Sequence, residues 1–413
     1  MKKVVFAVVS LGFLLLYGGV VNATNGDMLI GIGPISRSMG GVGVAAPQDS
    51  ISAVFENPAG MAFAPCCPGS QVDFSGTIFL PKASAQMSVP GAGAFSDDKS
   101  RMDTFIIPAI GITTPISKDN RWRFGLAAYG VSGMGVDYRD RLDALKALAG
   151  PGASLYTQYS VMKFAPNLSY MVNDNLSLGV SVHLDYANLD LGQGASAGYG
   201  VGAQVGAIYR TGPVSFGFSY VTPQSITHDK VADFDGNGVK DDLKLEIPQT
   251  AAFGIAYKPW DKLLLEADVK WINWANANGY KDFDWRDQYV FSLGVQYQPI
   301  KKLFLRAGVN YGKNPVKEHN GFNGASTTNV QGTQVSTFQY ELLRVAGFPA
   351  VAETHVAFGV GYEFTEKMAA HVGYTHGFNK SISETGTLGP AGPAKIAADL
   401  SEDSVEFGLS FRF

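Results

Sequence analysis

The last ten residues of the chain alternate between apolar and polar side chains and end on Phe413. Every second residue from Val405 to Phe413 is apolar, whereas the residues between them are glycine, serine or charged. A period of two is that of a β-strand with one apolar and one polar face. Transmembrane barrels use such strands, because one face contacts lipid and the other a wet lumen. The segment therefore predicts a membrane-spanning strand, with a half-buried edge strand of a soluble sandwich as the alternative.

The same alternation recurs along most of the chain. The apolar side of residues 176–186, 214–220 and 263–271 is as regular as that of the final segment. No segment after the N-terminus has the roughly 18 apolar residues of a spanning helix, so the chain can cross a membrane only as a closed barrel. The fourteen predicted strands lie near 71–80, 104–114, 121–136, 156–171, 176–186, 199–210, 214–221, 245–257, 263–274, 289–297, 303–311, 354–364, 368–376 and 404–413. The predicted fold is an all-β, 14-stranded antiparallel transmembrane β-barrel.

The connections between the strands predict the orientation of this barrel. Short joints such as Val172–Asn175 and Thr211–Pro213 alternate with longer ones such as 137–155 and 312–353. Outer-membrane barrels have tight turns at the periplasmic rim and longer loops outside. An even number of strands then places both termini at the periplasmic rim.

The N-terminus predicts the compartment. Lys2 and Lys3 precede an apolar stretch that runs to about Val21, and Val21-Asn22-Ala23 is a small-residue cleavage pattern. Residues 1–23 are therefore predicted to be a secretory signal peptide, with an uncleaved helical anchor as the alternative. Together with the barrel, this predicts the bacterial outer membrane as the location.

Residues 24–70 differ in composition from everything that follows them. They are rich in Gly, Ala, Ser and Pro and show no sustained alternation, so we predict a separate compact element. Because the N-terminus lies at a rim that opens into the lumen, this element is predicted to fill the barrel as a plug, whereas residues 71–413 form the wall. It contains the sequences SMGGVGVA, at residues 38–45, and Asn57-Pro58-Ala59-Gly60.

The two cysteines, Cys66 and Cys67, are adjacent. Neighbouring residues cannot form the usual bridge without a strained ring, so free thiols or a vicinal disulfide are the alternatives.

The plug motifs, the fourteen strands and the terminal Phe413 together resemble the FadL/TodX (OMPP1) family of outer-membrane transporters for hydrophobic compounds. Asn57, Pro58, Ala59 and Gly60 look like the hatch motif of that family. The resemblance implies that a ligand binds among the extracellular loops, enters a tighter apolar pocket, and is released when the hatch N-terminus shifts. It also implies lateral exit through a gap made by an inward kink in the third strand.

The third predicted strand is rich in glycine. Glycines within a strand often mark bulges or bends, and the alternative is that they only relieve crowding. The candidates for the kink are Gly125, Gly130, Gly133 and Gly135.

The predicted function is uptake of hydrophobic molecules, with long-chain fatty acids as the leading ligand. An aromatic-hydrocarbon channel of the same family is the first alternative, and a general polar porin is the second. No catalytic constellation stands out, so we predict that the protein is not an enzyme. Mild acidity without Lys/Arg runs argues against nucleic acid as a partner. The expected surroundings are outer-membrane lipid and lipopolysaccharide, and the expected state is a monomer.

A fatty-acid carboxylate requires an inward-facing cation. Strand parity places four candidates on the luminal side, with ion pairs to neighbouring acids such as Glu266 or Asp268 as the alternative role. These candidates are Lys163, Lys270, Arg306 and Arg123.

Residues 233–246 contain the chain's one candidate metal site, and no other cofactor is predicted. Oxygen ligands occur at positions 1, 3, 5, 7 and 9 of a calcium loop, with glycine at position 6. Position 12 is Lys244, although Asp242 or Glu246 offers a substitute, and a plain acidic surface turn is the alternative. The predicted calcium ligands are Asp233, Asp235, Asn237, Val239 and Asp241.

Overall fold

The computed structural model describes residues 24–63 and 69–413, and the predicted signal peptide and both cysteines lie outside these ranges. Each strand pairs antiparallel with the next in sequence, and the last pairs with the first from Arg412 opposite Gln71 to Lys395 opposite Ser88. The predicted all-β, 14-stranded antiparallel barrel is therefore confirmed. The barrel strands are β1 Gln71–Val89, β2 Phe105–Pro115, β3 Trp122–Asp137, β4 Tyr156–Asn173, β5 Leu176–Asp190, β6 Ser196–Thr211, β7 Val214–Val221, β8 Thr250–Trp260, β9 Leu263–Ile272, β10 Gln288–Ile300, β11 Leu303–Gly312, β12 Thr354–Thr365, β13 Met368–Thr387 and β14 Pro393–Arg412.

The faces of the strands follow the sequence alternation. On β5, Leu178, Val180 and Val182 are exposed on the outer surface, whereas Ser181 and His183 are buried inside. Among the described residues, no helix is long and apolar enough to cross a membrane. The terminal Phe413 donates its N–H to the Ser70 carbonyl at 2.9 Å, so the chain end is tied to the start of β1.

One predicted strand begins later than expected. Residues 245–247 do not join the barrel, because Asp241–Ile247 pairs with Gln224–Ala232 in a separate hairpin. Pro248 has no N–H for a ladder, so it separates this hairpin from β8.

Several strands are also longer than predicted. β14 begins at residue 393, and β1 runs on to residue 89, well beyond the predicted ends. The outer face of these extensions includes Lys82 and Lys395, which are exposed. Hydrogen-bonded pairing therefore continues where the outer face is no longer apolar. The apolar–polar alternation, from which the strands were predicted, ends before the pairing does.

Residues 24–63 lie within the barrel and are almost entirely buried. They begin with a hairpin of Thr24–Asn25 and Met28–Leu29, followed by helix α1, Gly33–Ser38. Helix α2, Ser50–Phe55, starts at a capping box in which Asp49 accepts from the Ser52 N–H at 2.7 Å. A 3₁₀ turn, Pro58–Phe63, ends the segment. We call residues 24–63 the plug segment.

The long connections on the side opposite the termini carry small elements of their own. Helix α3, Asp143–Ala149, is amphipathic, whereas helix α4, Thr337–Leu342, is buried except at Gln339. A π turn, Leu343–Gly347, continues α4. The remaining short strands are Ala94–Lys99, Phe322–Asn323, Thr327–Val330 and Thr333–Ser336, and the remaining 3₁₀ turns are Pro90–Ala92, Trp274–Asn276 and Gly389–Ala391.

A buried ion pair joins the plug segment to the wall. The Nε of Arg37 lies 2.8 Å from Glu406 on β14, and its Nη2 donates to the Ser404 hydroxyl at 2.9 Å. Both charged side chains are fully buried.

We expect Arg37→Ala to lower the free energy of unfolding by about 3–5 kcal/mol, because Glu406 is left buried and unpaired. Urea unfolding in detergent, followed by tryptophan fluorescence, measures this. The double variant Arg37→Ala/Glu406→Gln removes the orphaned charge and is expected to recover part of the loss. A single variant as stable as the wild-type protein would contradict the importance of this pair.

Candidate functional site

Strand β3 loses its pairing with β2 before β3 itself ends. The pairing of β2 with β3 stops at Ala109 opposite Tyr129, whereas β3 remains paired with β4 up to Asp137. The β3–β4 register shifts between Gly130 and Ser132, so Val131 forms a bulge at the point of separation. A bulge bends its strand and increases the local twist. A gap therefore opens in the wall between β2 and β3 above this point.

The N-terminal hairpin lies against the free edge of β3. Met28 pairs with Ser132, and the Asp27 carbonyl accepts from the Gly133 N–H at 3.1 Å. The plug segment thus satisfies a backbone donor that lost its partner on β2.

Aromatic side chains pack against the side of the hairpin that faces away from β3. The rings of Trp274, Tyr280 and Trp285 contact one another, with centroids 4.5–5.1 Å apart. A Cβ on Gly26 would lie 2.9 Å from Trp274, and its φ is +66°, so only glycine fits here. The Tyr280 hydroxyl donates to the buried Asp27 carboxylate.

A cavity of about 270 Å³, which we call the lateral cavity, meets the gap. Phe105, Ile106 and Pro108 line it from β2, and Leu29 lines it from the plug segment. Ile106 is 78% exposed, so the cavity reaches the outer surface of the wall.

The four predicted kink glycines have different surroundings. Gly130, Gly133 and Gly135 lie at or above the bulge and line the lateral cavity. Gly125 lies below it, where a Cβ would lie 2.2 Å from the Met61 sulfur. The structure therefore groups three of the four at the gap and places the fourth against the plug segment.

Two further cavities lead upward from the lateral cavity. The upper cavity, about 460 Å³, lies among the loops and is lined by apolar residues that include Leu148, Phe338 and Phe283. The middle cavity, only about 30 Å³, shares Phe283 with the upper cavity and Met134 and Tyr159 with the lateral cavity. The three cavities therefore form one series from the loops to the gap.

The family model described as "Outer membrane protein transport protein (OMPP1/FadL/TodX)" matches residues 31–222 and 220–322. The chain belongs to this family. The OMPP1/FadL/TodX assignment, with the closed barrel, places the protein in the bacterial outer membrane as a barrel of a transport family.

Solved structures support the same fold. The Pseudomonas putida toluene transporter TodX is 17% identical with a TM-score of 0.66, and the alignment covers 93% of this chain and 99% of TodX. A Pseudomonas aeruginosa FadL homologue is 16% identical with a TM-score of 0.69, covering 94% and 99%. The Ralstonia pickettii toluene transporter TbuX is 18% identical with a TM-score of 0.59, covering 93% and 98%. A comparison with curated protein sequences finds no significant match.

The predicted hatch motif, Asn57-Pro58-Ala59-Gly60, packs against the SMGGVGVA turn. The Asn57 amide donates to the carbonyls of Val44 at 2.8 Å, Phe218 at 3.1 Å and Ala207 at 3.2 Å. Its side-chain oxygen accepts from the Ala59 N–H at 3.1 Å. The Ala59 carbonyl accepts from Ser177 at 2.8 Å. Pro58 and Gly60 lie in the same turn and are buried.

The structure does not bring the four predicted carboxylate-binding cations together. Lys163 lies 2.9 Å from Asp185, and Lys270 lies 3.2 Å from Glu56. Arg306 donates to Gln296 at 2.7 Å, near the periplasmic end of the lumen. Arg123 donates to the Gly69 carbonyl at 2.9 Å. In the part of the chain that the structure describes, none of the four lines the three cavities.

The candidate calcium loop is partly organised. The carboxylates of Asp233, Asp235 and Asp241 each offer an oxygen within 4.8 Å of the others. The backbone between residues 236 and 239 turns around Asp233 and Asn237, with Gly238 donating to Asp233 at 2.9 Å and Val239 to Asn237 at 2.8 Å.

Neither substitute for position 12 turns toward this loop. Asp242 accepts from the Lys230 N–H at 2.7 Å, and Glu246 accepts from Asn278 at 2.9 Å. Calcium binding by residues 233–246 stays a prediction.

An ion network ties the loops together beside the middle cavity, which Arg344 lines. His319 bridges two loops, with Nε2 3.0 Å from Asp284 and Nδ1 2.9 Å from Glu341 on α4. Arg344 bonds to Glu341 at 2.9 Å and also to Glu384. The hydrogen bond with Glu341 is the largest influence that raises the pKa of His319.

Sequence reasoning missed the contacts of this network and those of Asp27 with Tyr280. Asp27 and Tyr280 are 253 residues apart, and neither stands in a motif. Only closure of the barrel brings them together.

The His319 bridge predicts a pH-dependent loop closure. Because the pKa of His319 is raised in the folded protein, the stabilisation that this bridge gives the closed loops is complete below the unfolded-state pKa of about 6.5. It is lost as pH rises through the folded-state pKa. We expect limited proteolysis within residues 313–353 to be slower at pH 6 than at pH 9. His319→Gln should remove this difference, and an unchanged difference in that variant would rule out His319 as its source.

Proposed function

We propose that this protein takes up hydrophobic compounds across the outer membrane, and that the ligand leaves sideways between β2 and β3. The gap at the Val131 bulge, where the lateral cavity reaches the outer wall, is the observation that carries the proposal. The ligand would pass from the upper cavity through the middle cavity to the lateral cavity. One barrel contains the whole series, so we propose that the monomer is sufficient.

Physical chemistry favours such a route for apolar ligands. A dry pocket stabilises a hydrocarbon by about 0.8 kcal/mol for each buried methylene, whereas a water-filled pore offers no such gain. Lateral release delivers the ligand directly into the hydrocarbon core of the membrane, so it never has to enter water.

The hairpin at residues 24–29 is the proposed gate. A middle cavity of about 30 Å³ is too small for a hydrocarbon ligand, so passage requires something to move. Gly26 and Leu29 line the lateral cavity, and Tyr280 lines the middle cavity and bonds to Asp27. Displacement of the hairpin would therefore join the two spaces.

A disulfide lock tests the gate. Met28 and Ser132 are directly opposed in an antiparallel pair, where Cβ atoms lie about 4.5–5.5 Å apart and a cross-link is within reach. In a chain with Cys66 and Cys67 replaced by serine, we expect oxidised Met28→Cys/Ser132→Cys to lose at least about nine-tenths of its uptake. Radiolabelled hydrocarbon accumulation in cells measures this.

The same protein treated with reductant is the matched control and should recover uptake. The heat-modifiable mobility of the barrel in electrophoresis shows that assembly is intact. Undiminished uptake by the oxidised protein would exclude hairpin movement as the gate.

The charges around the path favour a ligand without a carboxylate. Of the described residues that line the three cavities, only Asp233, Arg344 and Glu402 carry charge. Arg344 is already bound by two glutamates, Glu341 and Glu384. We therefore propose that neutral hydrocarbons bind better than fatty acids, the leading ligand predicted from the sequence.

Palmitate and methyl palmitate separate the two ligand classes, because they share one hydrocarbon chain and differ in charge. We expect the ester to bind about tenfold more tightly, which corresponds to about 1.4 kcal/mol, in displacement of a fluorescent probe from the purified protein. Glu402→Gln should reduce the difference in affinity between the ester and palmitate, because it removes the negative charge at the lateral cavity. If palmitate bound more tightly than methyl palmitate, the result would contradict this proposal and support fatty acids as the ligand.

A further inference from the structure

A polar cavity of about 750 Å³, which we call the periplasmic vestibule, lies at the end of the lumen where β1 starts and β14 ends. Its mouth includes exposed residues of the tight turns, Gly212, Asp261 and Lys262. Ala46 and Gln48 line it from the plug segment. It shares no lining residue with the upper, middle and lateral cavities. The vestibule is therefore separate from the proposed ligand path.

Positive charge dominates the lining of the vestibule. Among the described residues that line it, five are cations and two are acids, so the lining has an excess of three positive charges. Both acids already have partners, because Glu363 lies 2.8 Å from Arg412 and Asp261 lies 3.6 Å from Lys258. The excess belongs to the three remaining cations, which are Arg210, Lys262 and Arg306.

Arg306 is the most deeply placed of these cations, and its side chain is only 6% exposed. Its Nε donates to Gln296 at 2.7 Å, and its Nη1 lies 3.4 Å from Nδ1 of His371. The guanidinium carbon lies 5.4 Å from the centre of the Phe304 ring. The groups that contact this buried cation are thus an amide, an imidazole and a phenyl ring.

Nearby acids do not neutralise the charge of Arg306. Asp49 and Glu363 attract it, but neither forms an ion pair with it in the part of the chain that the structure describes. Asp49 caps helix α2 through the Ser52 N–H, and Glu363 is held by Arg412. A buried charge is costly unless it is paired. An anion in the vestibule would supply the missing counter-charge.

A glycine on the neighbouring strand makes room for this guanidinium. A Cβ on Gly361 of β12 would lie 2.8 Å from Nη1 of Arg306 and 2.5 Å from Nδ1 of His371, closer than real Cβ atoms approach. Any other residue at this position would displace the guanidinium or the imidazole. The wall is therefore shaped around Arg306.

The uncharged part of the lining also suits an oxyanion. It includes amide and hydroxyl groups, which donate hydrogen bonds, and guanidinium groups bind carboxylate and phosphate with two parallel hydrogen bonds. A hydrocarbon gains nothing from such surroundings, and a cation is repelled by them. The residues that carry these groups include Gln48, Gln296, Gln298, Ser215 and Ser410.

We propose that the periplasmic vestibule binds a small soluble oxyanion that carries phosphate or carboxylate groups. Arg306 is the buried anchor, and Arg210 and Lys262 supply further positive charge, so the ligand carries more than one negative charge. This binding function goes beyond the uptake of hydrophobic compounds and does not depend on it, because the vestibule lies outside the ligand path.

Isothermal titration calorimetry of the purified full-length barrel with sodium phosphate, at constant ionic strength in an uncharged detergent, tests the site. We expect saturable binding to wild-type protein and at least about tenfold weaker binding to Arg306→Gln, because the charged fork is lost. Arg306→Lys keeps the charge without the fork and should fall between the two. Heat-modifiable mobility in electrophoresis shows that each variant is assembled.

Lys301→Gln is the matched control. Lys301 is exposed in the turn before β11 and does not line the vestibule, so the variant removes one positive charge from the same rim. It should bind phosphate within about twofold of wild type, because solvent and salt screen an exposed charge. Absence of saturable binding to wild-type protein, or equal affinities of Arg306→Gln and Lys301→Gln, would overturn the proposal.

A glycine substitution tests the anchor without removing a charge. Gly361→Ala should displace the guanidinium and weaken phosphate binding by at least about threefold, because bidentate contacts depend on its position. Gly76→Ala is the control, since a Cβ at Gly76 meets nothing within 4 Å. Equal affinities of the two alanine variants would contradict Arg306 as the anchor.

Citrate in place of phosphate distinguishes the two kinds of oxyanion. Whichever of the two binds wild-type protein more tightly, and loses more affinity in Arg306→Gln, identifies the group that the vestibule recognises. Failure of both to bind would exclude an oxyanion site here and would leave the proposed uptake of hydrocarbons untouched.

Discussion

The need to pair every backbone N–H and C=O group in lipid determines the rest of this structure. No water is available in the hydrocarbon core, so the sheet has to close on itself, and β14 pairs with β1 along almost its whole length. Closure creates a lumen, and residues 24–63 occupy it. It also makes any break in the ladder costly, which is why the early end of the pairing between β2 and β3 is the most informative place in the described wall.

The structure compensates for that break with the plug segment. Gly133 on β3 would face the gap with an unused N–H, and the Asp27 carbonyl accepts it. The same hairpin contacts the aromatic cluster through Gly26 and lines the lateral cavity. Because one small element both completes the ladder and borders the proposed ligand path, its displacement would expose a strand edge and a passage at the same time.

The plug segment is therefore held in two different ways. Its hairpin is attached to β3 by few hydrogen bonds, whereas residues 39–59 lie against a wall of glycines and donate four N–H groups to Glu266 and Asp268. Local stability in proteins follows the density of such contacts, so the two parts should differ in the free energy needed to displace them. The proposed movement of the hairpin alone would pass a hydrophobic ligand and leave residues 39–59 in place.

The sequence alone determined the barrel, because strand alternation has a period of two and is set by the difference between lipid and lumen at every residue. It also separated the plug segment from the wall and indicated the glycine-rich third strand. It did not determine the partners of the luminal charges: parity placed Lys163 and Lys270 inside, but only the folded barrel set them against Asp185 and Glu56. Nor did it reveal the bulge at Val131 or the contact of Asp27 with Tyr280. Each of these depends on how the strands and the plug segment meet, which is decided only when the sheet closes and every strand is fixed against two neighbours.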